Sequence, residues 1–333
     1  MSVDFAALLK EIGRGKRAAR ALSLEQATAL GQALAENTVP DGVLGALLLA
    51  FRMKGETAVE LIGLQAGLQT ALARLHCPAE QAPLVIPSYN GARRTANLVP
   101  LLALMLRALE IPVLLHGPRA VAGRTATVTL LERLGVFPSE SLAAASEALS
   151  RKQLAYLPIE ILAPAHARLL AWRTTLGVRN FAHTLVKLIE PFNDPTTRLI
   201  SITHPVYQEL MRECLTTTCG SAVLMRGHEG EPVAHPNRLP AMLWIRDGVE
   251  QILPSAEEGT DGNTTFSPLP ELDLEATADW TARVITEPGR FVLPRPLLEQ
   301  VSRLVWTRQR QPTLNLARHH VFTYFGQRPV IST

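Results

Sequence analysis

Apolar residues at Phe5, Ala6, Leu8, Leu9 and Ile12 recur at helical spacing, and similar spacing continues through residue 75. Ser23 stands where an N-cap is needed for a helix over 24–37, with Glu25 and Gln26 in its first turn. Asp41 can cap a helix over 42–53 and Thr57 one over 58–75. Four short helices with tight connections predict an all-α subdomain. The pattern changes at Cys77-Pro78. Residues 84–87 read as a buried strand, 97–109 as a helix, 112–117 as a strand and 125–134 as a helix. Strand–loop–helix alternation of this kind predicts a parallel sheet. Helical patterning returns over 158–188, and 199–202, 221–225 and 241–245 read as further strands. The acidic stretch that follows, with its glycines and prolines, reads as loop. The C-terminal part shows a helix over 297–308 and then a basic tail. The expected fold class is α/β: a small helical-bundle domain plus a larger α/β domain with a central, mostly parallel sheet. The expected boundaries are 1–76 for the helical domain, completed by helices within about 158–190, and 77–157 with 191–333 for the α/β domain.

A chain of 333 residues that is 47% hydrophobic can bury a substantial core. No apolar run reaches the roughly 18 residues that span a membrane; the longest, 98–106, stops at Arg107. The N-terminus places an acid before its basic cluster, the reverse of a secretory signal, so the expectation is a cytoplasmic protein with no membrane partner. Cys77, Cys214 and Cys219 are too few and too scattered for a disulfide framework or a zinc site.

Charge distribution adds more than net charge. Residues 247–282 carry nine acids and no Lys or Arg, so the rest of the chain holds +12, the net +3 less this −9. Its cations are mostly arginine, whose planar fork suits phosphate. Four of them, Arg14, Lys16, Arg17 and Arg20, fall within the glycine-containing stretch Gly13–Arg20. Such a cluster suits a loop that tracks a sugar–phosphate backbone. The C-terminal tail interleaves bases and aromatics from Arg308 to Arg328, a pattern that permits base stacking or a docked segment.

Three motifs carry a family resemblance. Arg52-Met53-Lys54-Gly55-Glu56-Thr57 closes the third predicted helix. His116-Gly117-x-Arg119-x-Val121 is followed at a fixed distance by Leu130-Leu131-Glu132-x-Leu134-Gly135. Arg173-x-x-Leu176-Gly177-Val178-Arg179 enters a helix pair that leads to Asn193-Asp194-Pro195. Together they resemble the anthranilate phosphoribosyltransferase family, whose corresponding motifs are RMKGET, KHGNRSVSS with LLEALG, and VRRELGIR with an NP turn. The resemblance implies a fold of the nucleoside phosphorylase/phosphoribosyltransferase type and a homodimer formed through the helical domains.

The departures fall on the family's anion-binding atoms. The GTGGD phosphate loop is here Pro87-Ser88-Tyr89-Asn90-Gly91, and NIST is Asn97-Leu98-Val99-Pro100. The lysine of KHGN is Leu115, its asparagine is Pro118, and the serines beyond are Ala120, Ala122 and Gly123. Charge-assisted hydrogen bonds contribute roughly 1.5–3 kcal/mol each, so these losses together cost many decades of diphosphate affinity. The family's adjacent Asp-Glu, which helps to hold magnesium, is replaced by a turn in which Glu229 and Glu231 remain as metal candidates or as an acidic surface turn. Asn90, Gly91, Asn97, His116, Gly117 and Arg173 are the expected remnant of the substrate cleft, with Arg173 where the family binds the anthranilate carboxylate. Arg93, Arg94 and Arg119 are further candidates for anion contacts.

The Gly13–Arg20 stretch is similar to the GRGK-type loop of the YbiB-type branch of this family. That resemblance implies a homodimer binding DNA or RNA without sequence preference, with no catalytic residues, cofactor or metal. The alternative is an anthranilate-type or related phosphoribosyltransferase with a modified pocket, for which Mg2+ would be required.

Overall fold

The computed structural model describes residues 3–15, 17–76, 82–194, 196–218, 220–254, 266–308 and 311–327. Lys16, Cys77, Pro195, Cys219, Arg310, Arg328 and the acids Glu257, Glu258 and Asp261 lie outside the described residues.

Four helices open the chain: α1 (Phe5–Ile12), α2 (Leu24–Ala35), α3 (Asp41–Lys54) and α4 (Ala58–Gln69). Ser23 and Thr57 cap α2 and α4 through capping boxes with Gln26 and Glu60. Asp41 does not cap α3; it is the helix's first residue, after Pro40, and its side chain makes no cap bond. The Arg52–Thr57 motif has a packing role here. Lys54 reaches the fully buried carboxylate of Glu60 at 2.7 Å, and that carboxylate also accepts from the backbone amides of Leu22 and Thr57, each at 2.9 Å. One buried acid thus ties three segments of the bundle together, and its charge is paired as burial requires.

The α/β part alternates β1 (Leu84–Pro87), α5 (Val99–Ala108), β2 (Val113–Gly117), α6 (Thr127–Arg133), α7 (Leu142–Ser150) and β3 (Leu154–Pro158). Helices α8 (Ile159–Leu162), α9 (Pro164–Leu176) and α10 (Ala182–Leu185) return to the bundle, where Leu169, Phe181, Ala182 and Leu185 join its core. Then come β4 (Thr197–Ile202), α11 (Pro205–Thr217), β5 (Ser221–Arg226), β6 (Met242–Arg246) and β7 (Val249–Leu253). The sheet order is β3-β2-β1-β4-β5-β6-β7, parallel from β3 to β5 and antiparallel at β6 and β7. Strand residues alternate between its two faces. Leu84, Ile86 and Leu199 enter one core, whereas Val85 and Ile200 enter the cores on the opposite face. The sheet is covered on both faces, as parallel strands require.

The C-terminal third departs from the sequence reading. The acidic stretch is not all loop, since it contains β7 and most of α12 (Leu274–Thr286), which Asp273 caps. Beyond α13 (Arg295–Thr307) the tail forms α14 (Leu314–Tyr324), docked through Ala317, Val321, Phe322 and Phe325. Arg318 bonds Glu299 at 3.0 Å, and Arg308 bonds Thr197 at 3.0 Å. The acids and apolar positions of these segments serve helix caps and packing, which outweigh their loop-like composition.

Strand order reverses between β1 and β4, so the loops that follow them diverge and leave a crevice at the carboxyl edge of the sheet. The segment 88–98 after β1 and the turn 227–232 after β5 meet there.

Candidate functional site

The loop after β1 is held to its neighbours by short polar contacts. Gly117, at the end of β2, lies so close that a Cβ would stand 2.0 Å from the carbonyl oxygen of Ser88. Gly91 has φ +64°, and its backbone region pairs with 124–125 through Ala92 and Thr125. Asn97 donates to the Thr125 carbonyl at 3.2 Å and to the Thr127 hydroxyl at 3.0 Å, and accepts from the Val99 amide at the start of α5.

The turn after β5 supplies the other half. Glu229 and Gly230 both have positive φ, 52° and 89°. This geometry sends two carboxylates into the β1 loop. Oε1 of Glu231 accepts from the amides of Asn90 and Gly91, each at 2.6 Å, and its Oε2 accepts from the Ser88 hydroxyl at 2.6 Å. Glu229 accepts from the Arg93 amide at 2.6 Å and the Arg94 amide at 3.0 Å. Asn90 Nδ2 and Ser201 Oγ both donate to the Gly230 carbonyl, at 2.7 and 3.1 Å. The side chains of Arg93 and Arg94 face outward, while their amides are used inside.

Burial pushes the Glu231 carboxyl up, opposed by its bonds to Ser88, Gly91 and Asn90 and by the charge of Lys187. Lys187, pushed down to about 8 by burial, donates to the Ser201 carbonyl. Arg179 donates to Asn90 Oδ1. Lys187 and Ser201 are missed because they lie outside the matched motifs, and Ser88 and Arg179 because, although they lie within them, they stand where the motif gives no anion contact to carry over.

His116 is fully buried, pushed down to about 3 by burial, and contacts the Tyr89 hydroxyl through Nδ1 at 2.6 Å. Burial and the Tyr89 contact give it a packing role in the floor of the loop. Arg173 is exposed and lines a cavity of about 390 Å3 beside Tyr89, Glu160 and His183. A second cavity of about 220 Å3, lined by Arg52, Arg179, His183, Lys187 and Tyr207, lies on the other side of His183. Arg119 pairs with Glu140 on the surface.

The magnesium candidates do not fit a metal. Glu229 and Glu231 have their carboxylates committed to backbone amides of the β1 loop, and among the described residues no three His, Cys, Asp or Glu side chains converge on one point.

The Gly13–Arg20 segment lies far from these contacts in the chain, following α1. Arg14 folds back onto Glu11 at 2.9 Å and the Lys10 carbonyl. Arg17 and Arg20 are exposed and form no ion pair among the described residues. The structure therefore does not bring the basic segment and the old cleft together as one bonded cluster.

Residues 6–70 match the helical bundle domain of the glycosyl transferase family. The chain is 38% identical to the Escherichia coli (strain K12) protein YbiB over 304 residues, 90% of this chain and 93% of that one. It is 28% identical to anthranilate phosphoribosyltransferase 1 of Nostoc sp. over 252 residues, 74% of this chain and 68% of that one. Among solved structures, the anthranilate phosphoribosyltransferase of Thermus thermophilus superposes with a TM-score of 0.72 at 22% identity, covering 96% of this chain and 94% of that one. The Saccharomyces cerevisiae enzyme, in complex with PRPP and Mg, gives 0.70 at 13% identity, covering 96% and 93%. No helix of the described residues is long and apolar enough to cross a membrane. With bundle, sheet order and relatives in agreement, the chain belongs to the anthranilate phosphoribosyltransferase-like family and groups within it with YbiB.

Proposed function

We propose that this protein binds nucleic acid, DNA or RNA, without sequence preference and as a cytoplasmic homodimer, on a transferase-like fold. The observation that carries the reading is the segment after α1, where Arg17 and Arg20 stand exposed with no carboxylate partner among the described residues. Unpaired arginines at a glycine-rich turn can contact successive phosphates of a polyanion. The amides at the old cleft cannot serve the same partner, because Glu229 and Glu231 already occupy them. Self-association through the helical domains would bring two copies of the basic segment together. The exposed Leu49 and Met53, one turn apart on α3, support an apolar contact there.

The test is fluorescence anisotropy of labelled oligonucleotides over a salt series, comparing the wild type with the variant in which Arg14, Lys16, Arg17 and Arg20 are all alanine. Loss of binding by a folded variant is expected; unchanged affinity would reject the segment as the binding element. The competing reading, a phosphoribosyltransferase with a modified pocket, is favoured by one observation, Arg173 beside an open cavity. Magnesium-dependent binding of phosphoribosyl diphosphate at micromolar affinity, in a calorimetric titration of the wild type, would establish that reading instead.

A further inference from the structure

The contacts between the 229–231 turn and the β1 loop have the form of a ligand complex. Two adjacent backbone amides, Asn90 and Gly91, converge on a single oxygen of Glu231, each at 2.6 Å, and the Ser88 hydroxyl reaches the other oxygen. Successive amides pointing at one oxygen beside a left-handed residue form an anion-binding concavity. Gly91 supplies that residue, and a Cβ there would stand 2.7 Å from the Thr125 carbonyl oxygen. The hydroxyls behind the loop are ordered toward the same acceptor. Asn97 donates to Thr127; Ser88, which donates to Glu231, is left to accept from Thr127 at 2.7 Å. Lys187 and Arg179 add positive charge around the carboxylate. A donor set of amides, hydroxyl and cations is a receptor for an oxyanion, and Glu231 fills it while only 2% exposed.

The turn that delivers the carboxylate is held there by the contact. Glu229 is a non-glycine residue at φ +52°, a conformation that persists only where surroundings enforce it. Gly230, at φ +89°, packs against the Asn90 side chain, and a Cβ would stand 2.7 Å from Asn90 Nδ2. Two donors latch the Gly230 carbonyl, and Glu229 accepts from the Arg93 and Arg94 amides of the loop.

We propose that Glu231 is the resident anion of this loop: its carboxylate occupies a latent phosphate site and closes it to phosphate monoesters and diphosphates. The site is a receptor for a tetrahedral oxyanion that the chain satisfies with its own side chain. An incoming phosphate must displace a buried carboxylate of the same charge sign that already holds the Ser88, Asn90 and Gly91 donors. The proposal stands apart from the basic segment after α1 and does not depend on nucleic-acid binding.

The test uses the full chain as wild type, Glu231→Ala and Glu231→Gln, with inorganic phosphate as the probe at constant ionic strength. Glutamine keeps an oxygen for both amides, so Glu231→Gln stays closed, while alanine vacates the donors. Calorimetric titration is expected to give saturable phosphate binding to Glu231→Ala and none to the other two. Thermal melts are expected to show Tm rising with phosphate for Glu231→Ala alone, as mass action requires for a ligand of the folded state. If Glu231→Ala does not fold unaided, refolding with phosphate is expected to recover it. Equal responses of wild type and Glu231→Ala, phosphate binding by Glu231→Gln, or a Glu231→Ala chain that phosphate neither binds nor rescues would each overturn the proposal.

Discussion

The segment after α1 and the loop after β1 both present donors to negative charge, and they dispose of them in opposite ways. After α1, Arg17 and Arg20 face solvent without ion-pair partners among the described residues. After β1, the amides of Asn90, Gly91, Arg93 and Arg94 are all taken by Glu229 and Glu231. The difference shows why residue type alone does not define an anion site. A donor is available only if the fold leaves it without an acceptor, and here the loop with the motif ancestry is the one that is satisfied. The segment after α1 is the one whose exposed arginines keep no acceptor among the described residues.

The largest effect expected from breaking this contrast is on stability. Glu231→Ala strands two amides and a hydroxyl in a buried site. Each orphaned buried group costs roughly 1–3 kcal/mol, so a loss of several kcal/mol is expected in denaturant unfolding without added anion. Glu231→Gln, which retains most of the contacts, is expected to lose much less. Near-equal stability of the two variants would mean that the carboxylate is not what satisfies the loop.

On the open side, the effect is expected on binding and not on folding. Among the described residues, replacing Arg14, Arg17 and Arg20 by alanine along with Lys16 removes one internal pair, Arg14 with Glu11, and the exposed charges of Arg17 and Arg20. Stability is expected to change by about 0.5 kcal/mol or less. The salt dependence of oligonucleotide affinity is expected to flatten by about 0.9 per lost phosphate contact on duplex DNA, or about 0.7 on a single strand. A variant that keeps the wild-type slope would place the phosphate contacts elsewhere.

How much of this was legible in the sequence follows from what each signal depends on. Helix caps such as Ser23 and Thr57 and the strands read at 84–87 and 221–225 were visible because they rest on local spacing. The helix α12 and the strand β7 were hidden by acidic composition, since Asp273 reads as loop until it is seen capping Ala276. The tail's pattern left base stacking and a docked segment equally open, because Glu299 and Thr197, which receive Arg318 and Arg308, are remote in sequence. The erosion of the phosphate motifs was legible residue by residue. The role of Glu231 was not, because it depends on a contact between two loops 140 residues apart.

Two buried histidines carry a pH signature: His116 against Tyr89 below the β1 loop, and His166 of α9 against Gln65 of α4. His116 and His166 are buried and pushed down to about 3 and about 4, each from 6.5. Between about pH 6.5 and 4 the unfolded chain therefore binds more protons at these positions than the folded one. Stability rises with pH in that window and falls on acidification, by up to ~1.4 kcal/mol per pH unit for each histidine. Glu231, pushed up from 4.5 by burial, works in the other direction, its contribution being lost as pH rises through the folded value. His116→Asn is expected to flatten the dependence of Tm on pH by about one proton. An unchanged slope would mean that His116 takes up its proton without unfolding, and that the cleft is open to water.

The smallest expected effect concerns Arg119, which follows β2 and is paired with Glu140 at 3.1 Å. Both side chains are largely exposed, 45% and 75%, so the pair contributes at most about 1 kcal/mol and is screened by salt. Its charge is already balanced locally, unlike those of Arg17 and Arg20. Arg119→Ala is therefore expected to change oligonucleotide affinity less than Arg17→Ala does, when the two single variants are compared by anisotropy at one salt concentration. Equal losses would extend the binding surface from the basic segment to the segment after β2. The division between an open and a self-satisfied anion site would then hold for the buried amides of the β1 loop but not for the surface around them.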